Sequence, residues 1–148
     1  MVVLIVEDEP IIALNLAAVL EDAGHTVLGP VHVPAAALDL ARRNPRPSVA
    51  LLDINLDGQP TGIELARSMQ RLGIPSVFVS AQHALAWANR DAVLGFIGKP
   101  YTSSGICECM EALEATLRGE SQHNPHCALE LFHSNVAATD PRSQSTCD

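Results

Sequence analysis

The sequence predicts a doubly wound α/β domain built around a parallel sheet, and three observations lead there. Apolar runs of four to five residues alternate with helix-length amphipathic stretches. The runs are apolar throughout, as expected of strands covered on both faces. The 148 residues are 47% hydrophobic, enough for one core, and only 3% aromatic, so that core is aliphatic.

Strands are predicted at Val2–Val6, Thr26–Gly29, Val49–Leu52, Ser76–Val79 and Gly95–Ile97. The first helix starts near Pro10, which suits a first-turn position. Ile12, Leu16, Val19 and Leu20 share one face of it, and Gly24 suits its C-terminal stop. Pro34 opens a second helix that runs through Leu38 and Ala41 and is stopped by Asn44-Pro45. The third spans Gly62 to Leu72, with Ile63, Leu65, Ala66 and Met69 inward, and Gly73-Ile-Pro75 ends it. A short, weakly patterned fourth lies around Ala84 to Ala92. A fifth, from about Ser103 to Leu117, carries the stripe Ile106, Met110, Leu113 and Leu117. These units complete one domain over 1–118. The remainder, 119–148, turns to Ser, His, Asn, Gln and Pro. It is expected to be mostly disordered, with a turn of helix at the apolar patch Ala128-Leu-Glu-Leu-Phe132.

Composition narrows the function. Seventeen acids against nine bases give a net charge of −8, which argues against direct nucleic-acid binding. No apolar run approaches the roughly 20 residues of a membrane span. The N-terminus lacks the basic region of a signal peptide. Cys107, Cys109, Cys127 and Cys147 form no CxxC pair, so reduced thiols in a cytoplasm are expected rather than a disulfide framework. His123, His126, Cys127 and His133 are spaced too loosely for zinc to be the favoured reading.

The chemistry gathers at strand ends. Glu7 and Asp8 follow the first strand, Asp53 the third and Ser80 the fourth, while Lys99, the only lysine, follows the fifth and precedes Pro100. Ligands of open parallel sheets bind outside those carboxyl ends. If strands one and three are neighbours, three carboxylates converge, and a like pair about 4 Å apart costs roughly 4 kcal/mol at an effective dielectric near 20. Such a cluster needs a cation, and hard oxygen ligands favour Mg²⁺. A carboxylate beside Mg²⁺ and Lys⁺ stays ionised and can attack a phosphoryl group. Taken alone, an acid after a strand most often caps a helix, as Asp8 ahead of Pro10 would, and Phe96 reads equally as plain core.

Val6-Glu7-Asp8, Leu51-Leu52-Asp53, Ser80-Ala81 and Lys99-Pro100, in this order and at this spacing, resemble the receiver domain of two-component response regulators over residues 1 to about 118. The resemblance implies a flavodoxin-like five-stranded sheet of order 2-1-3-4-5 with about five helices, the fourth irregular. It implies that Asp53 accepts phosphate from a sensor histidine kinase or histidine phosphotransfer protein. Glu7, Asp8, Asp53 and the backbone carbonyl of Asn55 would hold Mg²⁺, and Lys99 and Ser80 would bind the phosphoryl oxygens. Small Ala81 would leave access, and Asn55 and Gln82 fall on positions that tune dephosphorylation. Phe96 falls on the aromatic switch position, and the peptide before Pro100 is expected in cis. Output would pass to a downstream protein target, with a homodimer through helix four, strand five and helix five as one route. Tyr101 and the irregular fourth helix lean toward a stand-alone receiver. Three departures stand out: a short Ser80–Lys99 interval, the loop Asp57-Gly-Gln-Pro60, and Phe96 where a tyrosine is common.

Two other functions compete. A phosphorylation-independent interaction module would be free to lose members of the set that is intact here. A haloacid-dehalogenase-type aspartyl phosphatase, a true enzyme, would need its second acid two residues after the first, whereas Asp57 lies four after Asp53.

Overall fold

The computed structural model describes residues 1–120 and 127–132. Its elements are β1 (Val2–Val6), α1 (Pro10–Asp22), β2 (Thr26–Val31), α2 (Pro34–Ala41), β3 (Val49–Leu52), α3 (Thr61–Arg71), β4 (Ser76–Ser80), α4 (His83–Ala88), β5 (Gly95–Gly98), α5 (Ser103–Leu117) and β6 (Leu129–Leu131). A 3₁₀ turn, Arg90–Ala92, links α4 to β5. The sheet order is β2-β1-β3-β4-β5-β6, parallel through β5 and antiparallel at β6.

The continuous apolar runs are explained by the two layers they serve. Side chains alternate across a strand, so Leu4, Val6, Ala50, Leu52 and Phe78 pack with Ala37, Leu65, Met69 and Ala86 of α2, α3 and α4. Val3, Ile5, Leu51, Val77 and Ile97 face Leu16, Leu20, Ile106, Met110 and Leu113 of α1 and α5. No helix among the described residues is long and apolar enough to cross a membrane.

Local chemistry sets the helix ends. Pro10 occupies the first turn of α1, as its fixed φ and missing N–H suit. Thr102 caps α5 by accepting a hydrogen bond from the Gly105 amide at 2.9 Å. The fourth helix is shorter than expected and stops at Ala88. Asn89 then turns back, its side-chain amide donating to the Leu85 carbonyl at 2.9 Å. The second helix also closes early, at Ala41, where the Arg42 and Arg43 amides donate to the Asp39 and Leu40 carbonyls.

The larger correction concerns the patch Ala128-Leu-Glu-Leu-Phe132. It is not a turn of helix: Leu129–Leu131 form β6 on the outer edge of β5. Among the described residues the sheet therefore has six strands rather than five. Cys127, just ahead of β6, places its Sγ 3.8 Å from that of Cys109 on α5, and both are free thiols, as is Cys107. Burial pushes the Cys109 thiol up to about 12. The expectations for His123, His126, His133, Cys147 and the rest of the tail lie outside the described residues.

Candidate functional site

Parallel pairing delivers the site. Val6 of β1 lies opposite Leu52 of β3, and the Asp53 amide donates to the Val6 carbonyl at 2.9 Å, so the residues after both strands leave the sheet side by side. At the β4–β5 pair Ser80 lies opposite Gly98, and the Lys99 amide donates to the Ser80 carbonyl at 3.0 Å. One carboxylate oxygen each from Glu7, Asp8 and Asp53 falls within 4.8 Å of the others. Lys99 Nζ donates to Glu7 Oε2 at 2.6 Å and to Asp53 Oδ2 at 3.0 Å. Its peptide bond to Pro100 is cis.

Each acid is further fixed by main-chain donors. Glu7 Oε1 accepts from the Glu9 amide at 3.2 Å, Asp53 Oδ1 from the Asn55 amide at 3.4 Å, and Asp8 Oδ2 from the Asp57 amide at 3.0 Å. The residue that caps α1 is Glu9, without a side-chain hydrogen bond, so Asp8 is not a helix cap. It clasps the β3–α3 loop instead. That loop is closed by reciprocal hydrogen bonds between Leu56 and Gln59, at 2.9 and 3.1 Å, with Asp57 and Gly58 at positive φ. Behind it Gly62 lets α3 approach: a Cβ there would sit 2.0 Å from the Asp53 carbonyl oxygen.

The charges are unbalanced. One ammonium faces three carboxylates, and Glu7 and Asp53 are buried. Burial raises the Glu7 carboxyl above its ordinary value, with the Asp53 charge adding, although Lys99 and the Glu9 amide act the other way. Burial also opposes the Lys99 charge, but its hydrogen bonds to Glu7 and Asp53 together prevail and hold the ammonium above its ordinary value. A divalent ion fits what remains: hard oxygen donors with neither imidazole nor thiolate among them. Glu7, Asp8 and Asp53 could hold it, and Asp8 and Asp53 line a cavity of about 290 Å³ together with Asn55, Ser80, Ala81, Gln82 and Lys99.

Ser80 is buried at the end of β4, and its Oγ accepts from the Gln82 amide at 3.1 Å. Phe96 is buried as well, its ring edge-on to His83 at 5.2 Å, so in this state it is part of the core. Of the ten residues singled out from the sequence, Asp8, Asp53, Asn55, Ser80, Ala81, Gln82 and Lys99 line the pocket, Glu7 is bonded to Lys99, Pro100 lines the adjoining cavity, and Phe96 lies in the core instead. Three contributors have roles that the sequence did not reveal: Asp57, whose amide holds Asp8; Gly62; and His83, which meets Phe96, Trp87 and Glu130. The Asp57-Gly58 pair was a turn signal in plain sight. A second cavity of about 460 Å³, lined by Ile11, Ile12, Asn15, Ala81, Lys99, Pro100 and Tyr101, adjoins the first, sharing Ile12, Ala81 and Lys99 with it.

A parallel sheet of this order, with acids after β1 and β3 and a lysine after β5, defines the receiver class of α/β domains. The sequence profile of the response regulator receiver domain matches residues 3–111, and the chain belongs to that family. It is 29% identical over 106 residues to the phyllosphere-induced regulator PhyR of Methylorubrum extorquens, covering 70% of this chain and 40% of PhyR. It is 33% identical over 123 residues to the nitrogen assimilation regulatory protein NtrX of Azorhizobium caulinodans, covering 78% of this chain and 26% of NtrX. The chain thus spans less than half the length of either relative. A solved signal receiver domain of a modulated diguanylate cyclase from Desulfovibrio desulfuricans superposes with a TM-score of 0.69 at 29% identity, covering 81% of this chain and 98% of that one.

Proposed function

We propose that this receiver is a Mg²⁺-dependent phosphoacceptor, in which Asp53 takes a phosphoryl group from a phosphohistidine. The observation that supports this most is the pair of hydrogen bonds from Lys99 Nζ to Glu7 and Asp53 inside a cluster of three carboxylates. An Asp53 carboxylate oxygen attacks phosphorus, the P–N bond breaks, and the imidazole leaves with a proton. Lys99 then turns from Asp53 to a phosphoryl oxygen, and the Ser80 hydroxyl donates to another. A divalent ion held by Glu7, Asp8, Asp53 and the Asn55 carbonyl would neutralise charge on the transferring group. Ala81, small and exposed, leaves the approach open, and Asn55 and Gln82, which line the cavity, would flank the path of hydrolytic water.

The donor would be a sensor histidine kinase or a histidine phosphotransfer protein. The rim beside Lys99 suits such a partner, because α1 exposes Ile11 (85%) and Leu14 (66%), and the adjoining cavity continues that apolar strip. On this reading the chain is no enzyme toward a separate substrate; its chemistry is confined to its own Asp53. It would work in the cytoplasm, where phosphohistidine donors are charged from ATP, and signal to a downstream protein target.

The test is intact mass after incubation with acetyl phosphate. A gain of one phosphoryl group in wild type with Mg²⁺, absent from Asp53→Ala and from Mg²⁺-free samples, is expected. An unchanged wild-type mass under phosphohistidine and acetyl phosphate alike would instead favour the inert interaction module, and multiple turnover of a phosphomonoester the phosphatase.

A further inference from the structure

We infer that residues 127–132 are a releasable strap: they occupy the outer edge of β5 in the resting protein and are loosened when Asp53 is phosphorylated. The coupling half of this inference rests on the phosphoacceptor reading above; the seating of the strap does not.

The strap is seated in a built site. β6 lies antiparallel on β5, with Gly95 opposite Leu131, Phe96 opposite Glu130 and Ile97 opposite Leu129. The Phe132 amide extends the ladder by donating to the Leu94 carbonyl at 2.8 Å. Gly95 makes the approach possible: a Cβ there would meet the Glu130 carbonyl oxygen at 2.3 Å and the Leu131 Cα at 3.3 Å. Beyond the ladder, Phe132 is 2% exposed and sets its ring edge-on to Trp87 of α4 at 5.8 Å. Without the strap, β5 would be a bare sheet edge with an aromatic hollow beside it, a template for another extended chain. A segment this short, held at the rim, belongs to the least stable part of a fold.

One side chain joins the strap to the pocket. His83 opens α4; its Nε2 lies 2.8 Å from Glu130 Oε2, and its ring meets both Phe96 and Trp87. The residue before it, Gln82, is tied to the site through its amide and Ser80 Oγ. If the Ser80 hydroxyl turns to a phosphoryl oxygen, that amide loses its acceptor. α4 has only six residues, no side-chain cap and no acid in its first turn, so little else fixes its start. A shift there carries His83 away from Glu130 and opens the seat of Phe132.

The experiment is hydrogen–deuterium exchange on the full chain with and without Mg²⁺ and beryllofluoride, a phosphoryl mimic, in wild type, Gly95→Ala and His83→Ala. In wild type the mimic should slow exchange around Asp53 and speed that of 129–132 about tenfold. Gly95→Ala should expose the strap in both states while β1 and β3 stay protected. His83→Ala should raise its resting exchange and abolish the response. Slowed exchange at Asp53 with the strap unchanged or tightened would overturn the coupling yet leave the phosphoacceptor standing. No effect at Asp53 would sink both. A strap as protected in Gly95→Ala as in wild type would overturn the seating itself.

Discussion

The central strands and the outer edge of this sheet are built to different standards. β1 and β3 are covered on both faces, every residue of β3 is buried, and the acids that follow them are pinned by main-chain amides and by Lys99. At the other side, β5 is flanked by a six-residue helix and a three-residue strand, joined through one histidine and a few aromatic rings. Chemistry that needs fixed charges sits on the part that cannot move without unfolding. Response is left to the part whose local opening costs least.

Core truncation should divide the two regions most sharply. Leu52→Ala, beneath Asp53, should cost about 4 kcal/mol in urea unfolding, the range of fully buried leucines. A loss below about 1 kcal/mol would mean that the centre is no firmer than the rim. Gly62→Ala should follow at about 3 kcal/mol, because its methyl must displace the Asp53 backbone. It should also weaken Mg²⁺ binding in calorimetry, and unaltered binding would show that α3 does not hold the acid in place.

Lys99→Ala should cost about 2 kcal/mol, leaving Glu7 and Asp53 buried without their ammonium. Saturating Mg²⁺ should return part of that loss if the ion and the lysine serve the same carboxylates. Acid should help too. Burial already holds the folded-state Glu7 carboxyl above its unfolded value, so protonating it favours the folded state. That contribution is complete below the unfolded carboxylate pKa and lost as pH rises through the folded one. Urea midpoints of the variant should therefore converge on wild type as pH falls. A gap that widens in acid would contradict the assignment. Phe132→Ala should be mildest globally, about 1 kcal/mol, because the strap can detach before the core opens. A cost matching Leu52→Ala would make the edge part of the cooperative core.

The same contrast explains what could be read from residue order alone. Glu7, Asp8, Asp53, Ser80 and Lys99 were legible because unbroken apolar runs mark buried parallel strands, and such strands present their following residues at one rim. β6 was not. Ala128-Leu-Glu-Leu-Phe132 is too short for its pattern to separate strand from helix, and its state is decided by the bare edge and the missing side chain of Gly95, far away in sequence. Asp57 likewise acts through an amide that reaches Asp8 across 49 positions. No local pattern records such a contact. Asn89 broke the fourth helix by a side-chain bond that propensity leaves open.

The claim beneath all of this is that the carboxylates after β1 and β3 form one divalent-ion site. Mn²⁺ added in substoichiometric amounts, with amide resonances followed by NMR, tests it directly. Signals of Glu7–Glu9 and Asp53–Asp57 should broaden first and recover with excess Mg²⁺. Broadening centred elsewhere, such as the acidic face of α5, or spread evenly over the surface, would contradict it.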